Sequence, residues 1–337
     1  MQNSLQELPK LSSLTLPWPT DWTAVFGVER RLILEIGFGY GHFLHHLHQT
    51  RPDANIIGFE VNNTCLVKAE KAIPRKGMHN VRVVRSSAET ALHHLFTPNS
   101  IQEIHINFPD PWFKDRHAGR RLMQRDTLDA MTSRLHPGGM LYLATDIRDY
   151  AEMSADLLES TLGLTNTFDT GWVHSMPGRV ITKYERKAQQ AGRPCFYFAY
   201  RRNDQPVQHP PAIKEQPMPH MIIQSPLTLQ QMFAALEESD LTEVTVESGE
   251  ARVNFKNSYL GSHSLLFDAY VHEPTIDQRV SLALVERQQH PGEYTLKLGA
   301  IGSPRPTDGI HAAVRYLGER LLALDAESVV IQDKVRS

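Results

Sequence analysis

Short apolar runs alternate with helix-like stretches along the first 150 residues, and this alternation constrains the fold more than any other feature. The apolar runs are RLILEIG (31–37), NIIGFEV (55–61), VRVVR (81–85), IQEIHINF (101–108) and MLYLAT (140–145). Amphipathic segments long enough for a helix lie between them. Strands and helices that alternate in this way are typical of a mostly parallel sheet with helices on both faces. We therefore predict an α/β fold, with CFYFAYRR (195–202) as its last strand.

A proline-rich stretch divides the chain. Residues 204–219, DQPVQHPPAIKEQPMP, contain five prolines, a density that opposes both helices and central strands. The predicted parts are a first domain over 1–204, a linker over 205–219 and a smaller α+β domain over 220–337. In the last part, two helical patterns accompany four strand-like runs, so mostly antiparallel strands are expected.

The two halves differ in charge. The whole chain has a formal net charge of −3, but residues 205–337 contain 11 Lys and Arg against 17 Asp and Glu, whereas residues 1–204 contain 24 against 21. The first part is therefore basic and the second acidic, which favours a polyanionic partner for the first part only. We expect the acidic half to mediate self-association or to bind a protein.

Other features of the whole chain bear on its location. No apolar stretch approaches the roughly 20 residues needed to span a bilayer, and the N-terminus lacks a basic region followed by an apolar core. Cys65 and Cys195 are the only cysteines in 337 residues, which is more typical of reduced thiols than of a disulfide framework. We expect a cytoplasmic protein that does not contact a membrane.

The turn EIGFGYG follows the first apolar run and indicates a nucleoside-binding site. Gly37, Gly39 and Gly41 have a G-x-G-x-G spacing, which differs from the G-x-G-x-x-G of dinucleotide sites and lacks the Lys-Ser/Thr of a P-loop. Glu35 ends the strand, where an anion favours a cationic ligand over a pyrophosphate. S-adenosylmethionine, with its sulfonium and ammonium groups, fits these features. Glu60 ends the second strand, where its carboxylate is predicted to accept both ribose hydroxyls.

The segment NFPDPWFK (107–114) follows the fourth strand and indicates a base-binding turn. Pro109 and Pro111 stiffen the backbone on either side of Asp110, and Trp112 offers an aromatic plane. A rigid carboxylate beside an aromatic ring suits a flat base, which can stack and form hydrogen bonds there.

Two basic runs accompany this turn. Their members are Lys114, Arg116, Arg120, Arg121 and Arg125, then Arg179, Lys183, Arg186, Lys187 and Arg193. A charge run of this kind is usually a solvated helix face. Beside a base-binding turn, however, it favours contacts with the phosphates of a nucleic acid.

Together these motifs resemble the bacterial tRNA (guanine-N(7)-)-methyltransferase family. The matching segments, in the family's order, are EIGFGYG, GFEV (58–61), NFPDPWFKDRHAGRRL, LHPGGMLYLATDIRDYAE (135–152) and GRVITKYERK (178–187). The F-P-D-P-W turn with its basic tail is the most specific of them. The resemblance covers about residues 30–202 and implies a Rossmann-like class I methyltransferase with a mostly parallel seven-stranded sheet. Nothing in residues 220–337 resembles the family.

The resemblance also implies an activity, the transfer of a methyl group from S-adenosylmethionine to the N(7) position of a guanine in tRNA. The implied cofactor contacts are Glu35, Gly37, Gly39, Glu60, Ser87 and Asp110, and Asp110 is also the implied catalytic residue. The implied tRNA contacts are Lys114, Asp146, Thr182, Lys183, Tyr184 and Glu185. Ser87 stands where the family usually has an acidic residue, and a serine binds an amino group more weakly than a carboxylate does.

Two other functions are compatible with the motifs. One is a methyltransferase with the same cofactor that acts on another RNA, on DNA or on a protein. The other is an inactive RNA-binding homologue, of which Ser87 would be the first sign. Four histidines in HFLHHLHQ (42–49) have spacings that metal ligands can have. No cysteine or acidic partner completes a site locally, so no metal is predicted.

Overall fold

The structure is a computed structural model, which describes residues 6–112, 119, 121–210, 213–238, 241, 244–299, 301 and 303–336. The chain forms two compact units, Met1–Ala212 and Ile213–Ser337. They are called unit 1 and unit 2 hereafter. No helix in the described ranges is both long and apolar enough to cross a bilayer.

The described residues of unit 1 form one sheet of eight strands. The strands are β1 (Lys10–Ser12), β2 (Arg31–Ile36), β3 (Ala54–Glu60), β4 (Val81–Arg85), β5 (Ile101–Asn107), β6 (Leu135–Thr145), β7 (Leu164–Asn166) and β8 (Phe196–Arg202). Their order across the sheet is β1-β4-β3-β2-β5-β6-β8-β7. Neighbours from β1 to β6 are parallel, whereas β8 is antiparallel to both β6 and β7. The predicted mostly parallel sheet is confirmed.

Helices cover both faces of this sheet. The helices are α1 (Trp22–Phe26), α2 (His42–Thr50), α3 (Asn63–Arg75), α4 (Ala88–His94), α5 (Arg125–Arg134), α6 (Arg148–Glu159) and α7 (Lys183–Gln190). Within β2, Leu34 and Ile36 join a core that includes residues of α1, α4, α5 and α6, while Ile33 joins one that includes residues of α2 and α3. Because successive side chains of a strand point to opposite faces, the continuous apolar run of β2 is buried on both.

Two details differ from the sequence predictions. The sheet contains eight strands in the described residues instead of seven, since β1 pairs in parallel with β4 at one edge. Its three residues are too few to show an apolar period. Strand β6 begins at Leu135 instead of Met140, because Leu135 pairs with Ile101 before the register shifts and Met140 pairs with Glu103. The HPGG turn is therefore an irregularity within the strand.

The described residues of unit 2 form a separate, wholly antiparallel sheet. Its strands are β9 (His220–Gln224), β10 (Thr245–Ser248), β11 (Ala251–Leu260), β12 (Ser264–Glu273), β13 (Ile276–Glu286), β14 (Glu293–Leu298) and β15 (Val329–Asp333). Their order is β10-β11-β12-β13-β14-β9-β15. Two helices accompany them, α8 (Leu229–Glu238) and α9 (Asp308–Leu322). Helix α9 buries Ile310, Val314, Leu317 and Leu321 in the core shared with the strands.

The antiparallel strands predicted for this half are present, but the sequence did not reveal β9, β11 or β15. Strand β9 directly follows the proline-rich stretch and has only five residues. Strand β11 carries polar Asn254, Lys256 and Asn257 among its apolar residues. All side chains of β15 are exposed, so no buried face shapes its sequence.

Described residues of the proline-rich stretch form hydrogen bonds within each unit. His209 Nδ1 lies 2.7 Å from Ser133 Oγ in unit 1. The Gln216 N–H donates to the Pro306 carbonyl over 2.7 Å in unit 2. Residues predicted as linker therefore contribute to the fold on either side.

Candidate functional site

The carboxyl ends of β2 and β5 meet where the strand order reverses, and a cavity of about 400 Å³ lies there. In open α/β sheets such a switch point is where ligands bind. The walls come from the turn after β2, the end of β3, the turn after β5 and the start of α7. Of the predicted site residues, the cavity brings together Glu35, Gly37, Gly39, Glu60, Asp110, Thr182, Lys183 and Tyr184.

The turn after β2 has a backbone that glycine adopts with the least strain. Gly37 and Gly39 have φ angles of 71° and 55°, and Gly41 has one of 73° directly before α2. The Gly37 N–H donates to the Phe59 carbonyl over 2.8 Å, which holds the turn against β3. A Cβ at Gly37 or Gly39 would meet nothing within 4 Å. The left-handed φ, and not crowding, therefore requires glycine here.

Glu60 anchors this turn while it lines the cavity. Its Oε2 accepts the Gly39 N–H over 3.0 Å, and its Oε1 accepts the N–H groups of Val61 and Asn62 over 2.8 and 2.9 Å. A carboxylate has about four acceptor positions. The three backbone bonds therefore leave about one acceptor position for a ligand. The sequence prediction, in which Glu60 accepts both ribose hydroxyls, would need two.

Glu35 is buried at the base of the cavity with only half of its carboxyl group hydrogen-bonded. Asn107 Nδ2 donates to Oε1 over 3.1 Å, whereas the buried Oε2 has no hydrogen-bond partner in the described part of the chain. Burial raises the pKa of Glu35 to about 8, although the Asn107 hydrogen bond, the Arg179 charge and the backbone N–H of Leu44 act in the opposite direction. A cation in the cavity would favour the ionised form.

Arg179 fixes the orientation of the amide that serves Glu35. Its guanidinium donates to Asn107 Oδ1 over 2.6 Å and lies over the rings of Phe43 and Tyr197, at 5.1 and 5.3 Å from their centroids. A guanidinium can only donate, so Asn107 must turn its oxygen to Arg179 and its NH₂ group to Glu35. The segment before α7 is thereby linked to the cavity floor.

The turn after β5 is held in an uncommon conformation. Phe108 and Trp112 have φ angles of 54° and 44°, a region that residues other than glycine rarely occupy. Arg121 donates from Nε to the Pro111 carbonyl and from Nη2 to the Trp112 carbonyl, each over 3.2 Å. Such strained turns persist only where surrounding contacts hold them. Asp110, at the centre of the turn, remains exposed beside the cavity.

Arg121 and Arg125 are therefore used differently from the sequence prediction, which made both of them phosphate contacts. Arg121 supports the turn, and Arg125 donates to the side chains of Thr161 and Ser160 over 2.8 and 2.5 Å. Lys114, Arg116 and Arg120 lie outside the described residues.

The predicted substrate segment at the start of α7 divides into buried and exposed residues. Thr182 and Glu185 form a reciprocal capping box, and Glu185 also accepts the Tyr197 hydroxyl over 2.7 Å. Lys183 and Tyr184 are exposed at the cavity mouth, where the Lys183 ammonium lies 4.5 Å from the centre of the Tyr40 ring. Thr182 and Glu185 thus stabilise the start of α7, which places Lys183 and Tyr184 at the cavity mouth.

Two other predicted site residues do not line the cavity. Ser87 caps α4, where its hydroxyl accepts the Thr90 N–H over 3.1 Å. Asp146 follows β6 and forms an ion pair of 2.8 Å with Arg193. Groups of three or more His, Cys, Asp and Glu side chains that could hold a metal are absent from the described ranges.

The sequence did not indicate Asn107 as a site residue, and it indicated only a surface role for Arg179. Asn107 was visible as the last residue of the apolar run before the base-binding turn. Arg179 carried no signal of its own, because its place depends on how the segment before α7 folds against Phe43 and Tyr197. Tyr40 was visible as a residue inside the glycine turn.

Comparisons with known proteins find methyltransferases. A family described as "Putative methyltransferase" matches residues 29–198. A tRNA (guanine-N(7)-)-methyltransferase of Cupriavidus metallidurans is 38% identical over 188 residues, which are 55% of this chain and 72% of that protein. Enzymes of the same name match over more of the chain. That of Thermus thermophilus is 33% identical over 94% of this chain and 96% of its own length, and that of Thermotoga maritima is 30% identical over 91% and 94%.

The last two matches correct one expectation. They extend over 318 and 307 of the 337 residues, so neither can omit most of unit 2. The expectation that residues 220–337 have no counterpart in the family is therefore wrong. A second half of this length occurs in both relatives, although its sequence lacks short motifs by which it could be identified.

Proposed function

Because the chain belongs to the tRNA (guanine-N(7)-)-methyltransferase family, we infer that it transfers a methyl group from S-adenosylmethionine to the N(7) atom of a guanine in tRNA. Unit 1 has the mostly parallel sheet of a class I methyltransferase and contains the whole family match, residues 29–198. The cavity at the β2–β5 switch point is the proposed site of the reaction.

The residues around the cavity fit S-adenosylmethionine. Glu35 offers a buried carboxyl oxygen with no hydrogen-bond donor among the described residues, and a cationic group would compensate it. Glu60 retains acceptor capacity beside the glycine turn, where a ribose hydroxyl can donate to it. Gly37 and Gly39, required here by their left-handed φ, place no side chain on this part of the wall, which lets a nucleoside approach the backbone.

The chemistry demands orientation more than acid–base catalysis. When bound, S-adenosylmethionine supplies a sulfonium methyl group that a nitrogen lone pair can take. Guanine N(7) has such a lone pair and needs no deprotonation before attack. The task of the protein is therefore to align the base behind the methyl group, and alignment of this kind can supply several kcal/mol, up to about 10, of the rate acceleration.

Asp110 is the proposed catalytic carboxylate. It lies in the strained turn that Arg121 supports, next to Trp112 and open to the cavity. There it can accept hydrogen bonds from the Watson–Crick edge of guanine, and its charge can offset the positive charge of the methylated ring. Trp112 offers the aromatic surface on which the base can stack.

One observation carries the proposal: the half-satisfied Glu35 carboxyl and the Asp110 turn line the same cavity. The test uses the purified full chain, methyl-labelled S-adenosylmethionine and unmodified tRNA, followed by mass spectrometry of the nucleosides. Label should appear in 7-methylguanosine. Asp110→Asn should lower kcat/KM about 100-fold, whereas the matched change Asp156→Asn, on the exposed side of α6, should not. Label in the protein or at another nucleobase atom would contradict the assignment.

We also propose that the protein is located in the cytoplasm. Cys65 and Cys195 are free thiols, which supports a reducing compartment such as the cytoplasm.

We propose that unit 2 folds separately and acts outside catalysis, by self-association or by binding a protein. Its excess of acidic residues supports this proposal, because an acidic surface repels the phosphates of tRNA.

A further inference from the structure

Helix α3 has a basic stripe opposite its buried face. Lys68, Lys71 and Arg75 are spaced i, i+3 and i+7, so they share one side of the helix, and Lys76 follows as the C-cap. All four are exposed. The other side of the helix packs into the core through Cys65, Leu66, Ala69 and Ile73.

Helix α7 repeats this arrangement. Lys183, Arg186 and Lys187 are spaced i, i+3 and i+4 and are exposed, while Glu185 and Ala188 face the interior. Each helix thus has a row of cations pointing away from the core. The row on α3 covers about 10 Å along the helix axis, given a rise of 1.5 Å per residue.

The two rows border one continuous surface. Two adjoining depressions share His42, Lys76 and Lys183, and neither contains an acidic side chain in its lining. Tyr40 joins the rows at the cavity mouth, because the ammonium groups of Lys68 and Lys183 lie 4.3 and 4.5 Å from its ring centre. We name this area the α3–α7 basic surface. Tyr40, His42 and Lys183 also line the cofactor cavity, so the surface leads directly into it.

Within the part of the chain that the structure describes, no acidic side chain pairs with these cations. In the described ranges, no ion pair involves a basic residue of the α3–α7 basic surface, whereas Arg193 pairs with Asp146 and Arg125 with Asp129. Arg121 donates to backbone carbonyls. Near the cavity, the basic residues available to an external anion therefore lie mainly on α3 and α7. Fewer of them lie in the described part of the basic run that follows the base-binding turn.

Helix stability does not account for the pattern. Arg75 and Lys76 lie at the C-terminus of α3, where cations interact favourably with the helix dipole. Lys183, however, is the first residue of α7 and Arg186 the fourth, where a cation opposes the dipole. Lys183 and Arg186 are thus placed at a small energetic cost, which points to a ligand.

We propose that the α3–α7 basic surface binds the phosphodiester backbone of the tRNA and directs the strand to the cavity mouth. The proposal rests on the proposed function and adds the part of the surface along which the substrate lies. A surface with only positive charges attracts a polyanion, so it can both bind the strand and steer it. Each phosphate contact releases counterions.

Salt dependence of tRNA binding tests this directly. The variants are Lys71→Gln with Arg75→Gln on α3, and Arg186→Gln with Lys187→Gln on α7, none of which lines the cofactor cavity. Each pair should lower tRNA affinity and reduce the slope of log K against log salt by about 2, because each lost phosphate contact removes about 1. The matched control is Lys256→Gln with Lys297→Gln, two exposed lysines of unit 2, which should leave the slope unchanged.

Further readouts separate this inference from the proposed function. Both surface variants should bind S-adenosylmethionine like the unmodified chain and should raise the KM for tRNA with kcat nearly constant. A slope equal to that of the unmodified chain in either pair overturns the inference, even if 7-methylguanosine is formed. If the unmodified chain forms no 7-methylguanosine, the proposed function fails, whatever the slopes.

Discussion

Glu35 of unit 1 and Glu273 of unit 2 are both buried, and the two carboxyl groups differ in what surrounds them. In unit 2, Glu273 Oε2 accepts the Thr307 hydroxyl and Oε1 accepts the Gly309 N–H. In unit 1, Asn107 serves one oxygen of Glu35 and the other has no hydrogen-bond partner in the described ranges. Burial raises the pKa of both groups. The contrast therefore lies in hydrogen bonding, not in depth.

We propose that this contrast separates a structural carboxyl group, Glu273, from a cofactor-binding one, Glu35. Glu273 completes the N-terminus of α9, whose first backbone N–H groups have no partner within the helix. Its bonds are satisfied by the fold itself. Glu35 lines a cavity and is left incomplete, and buried polar groups in folded proteins rarely lack a partner without a functional reason. In our proposal a cationic cofactor compensates Glu35, whereas the fold itself satisfies Glu273.

The units also differ in how their surface arginines and lysines are paired. In unit 2, Arg252, Arg279, Arg287 and Arg305 all form ion pairs with acidic residues of the unit. On the α3–α7 basic surface of unit 1, the cations have no such pairs in the described ranges. The basic residues of the α3–α7 basic surface are therefore available to an external anion, unlike these four arginines of unit 2.

The largest expected effect is on the pH dependence of stability. Folded unit 1 keeps the Glu35 proton up to about pH 8, whereas the unfolded chain releases it near the ordinary value of 4.5. The unfolded state then binds fewer protons, so the free energy of unfolding should fall as pH rises between these values, by on the order of 4 kcal/mol. Glu35→Gln should lack this loss.

The measurement is urea unfolding from pH 5 to pH 8.5, followed by tryptophan fluorescence. All four tryptophans, at positions 18, 22, 112 and 172, lie in unit 1, so the signal reports that unit. The Gln variant should gain stability relative to the unmodified chain as pH rises. A constant difference between the two proteins across this range would show that Glu35 is ionised in the folded state.

Glu273→Ala tests the other side of the comparison. Removal of this carboxylate leaves buried donors of Thr307 and Gly309 unpaired, which should destabilise unit 2 by about 3 kcal/mol. Tryptophan fluorescence and S-adenosylmethionine affinity should not change, since both belong to unit 1. Calorimetric unfolding checks the first expectation, with Glu250→Ala in an exposed turn as the control. A loss of cofactor affinity in Glu273→Ala would remove the distinction between the two carboxyl groups.

Glu60 sharpens the comparison because it is hydrogen-bonded like Glu273 yet lines the cavity like Glu35. Glu60→Ala should weaken S-adenosylmethionine binding by about 2 kcal/mol, through lost ligand bonds and release of the Gly39 N–H. Glu60→Gln keeps one acceptor oxygen and should lose about 1 kcal/mol, roughly fivefold in Kd. Titration calorimetry gives both values. Unchanged affinity in a folded Glu60→Ala protein would exclude this strand end from the cofactor site.

The smallest effect is expected when unit 2 is removed. A fragment of residues 1–212 retains Val207 against Gly163 and the His209–Ser133 hydrogen bond. We expect it to fold and to methylate tRNA with kcat/KM within about threefold of the full chain, because an acidic surface makes no favourable phosphate contacts. A folded but inactive fragment that regains activity when residues 213–337 are added would make unit 2 part of the catalytic unit.

The sequence predicted those parts of the site that lie at strand ends. Glu35, Glu60 and Asp110 could be placed because apolar runs mark parallel strands, and the carboxyl ends of such strands meet at one edge. The parallel sheet followed from the same runs. The short edge strand β1 could not be predicted, since three residues carry no period.

Residues that act through long-range contacts could not be placed from the sequence. Arg121 and Arg125 belong to a basic run typical of a phosphate-binding surface, but their partners are turn carbonyls and the hydroxyls of Thr161 and Ser160. Arg179 reaches Asn107 across 72 positions of sequence. Such pairings depend on the packed fold and leave no local pattern.

Methyl transfer by variants of Glu35 and Glu273 tests the central claim most directly. The full chain, Glu35→Ala and Glu273→Ala are each given unmodified tRNA and labelled S-adenosylmethionine below its KM, and the label in 7-methylguanosine is measured. Loss of the Glu35 carboxylate should lower the rate at least about 10-fold, the equivalent of 1.4 kcal/mol of cofactor binding. Folded Glu273→Ala should retain the rate of the unmodified chain. Equal rates for all three proteins, or a loss confined to Glu273→Ala, would contradict the account.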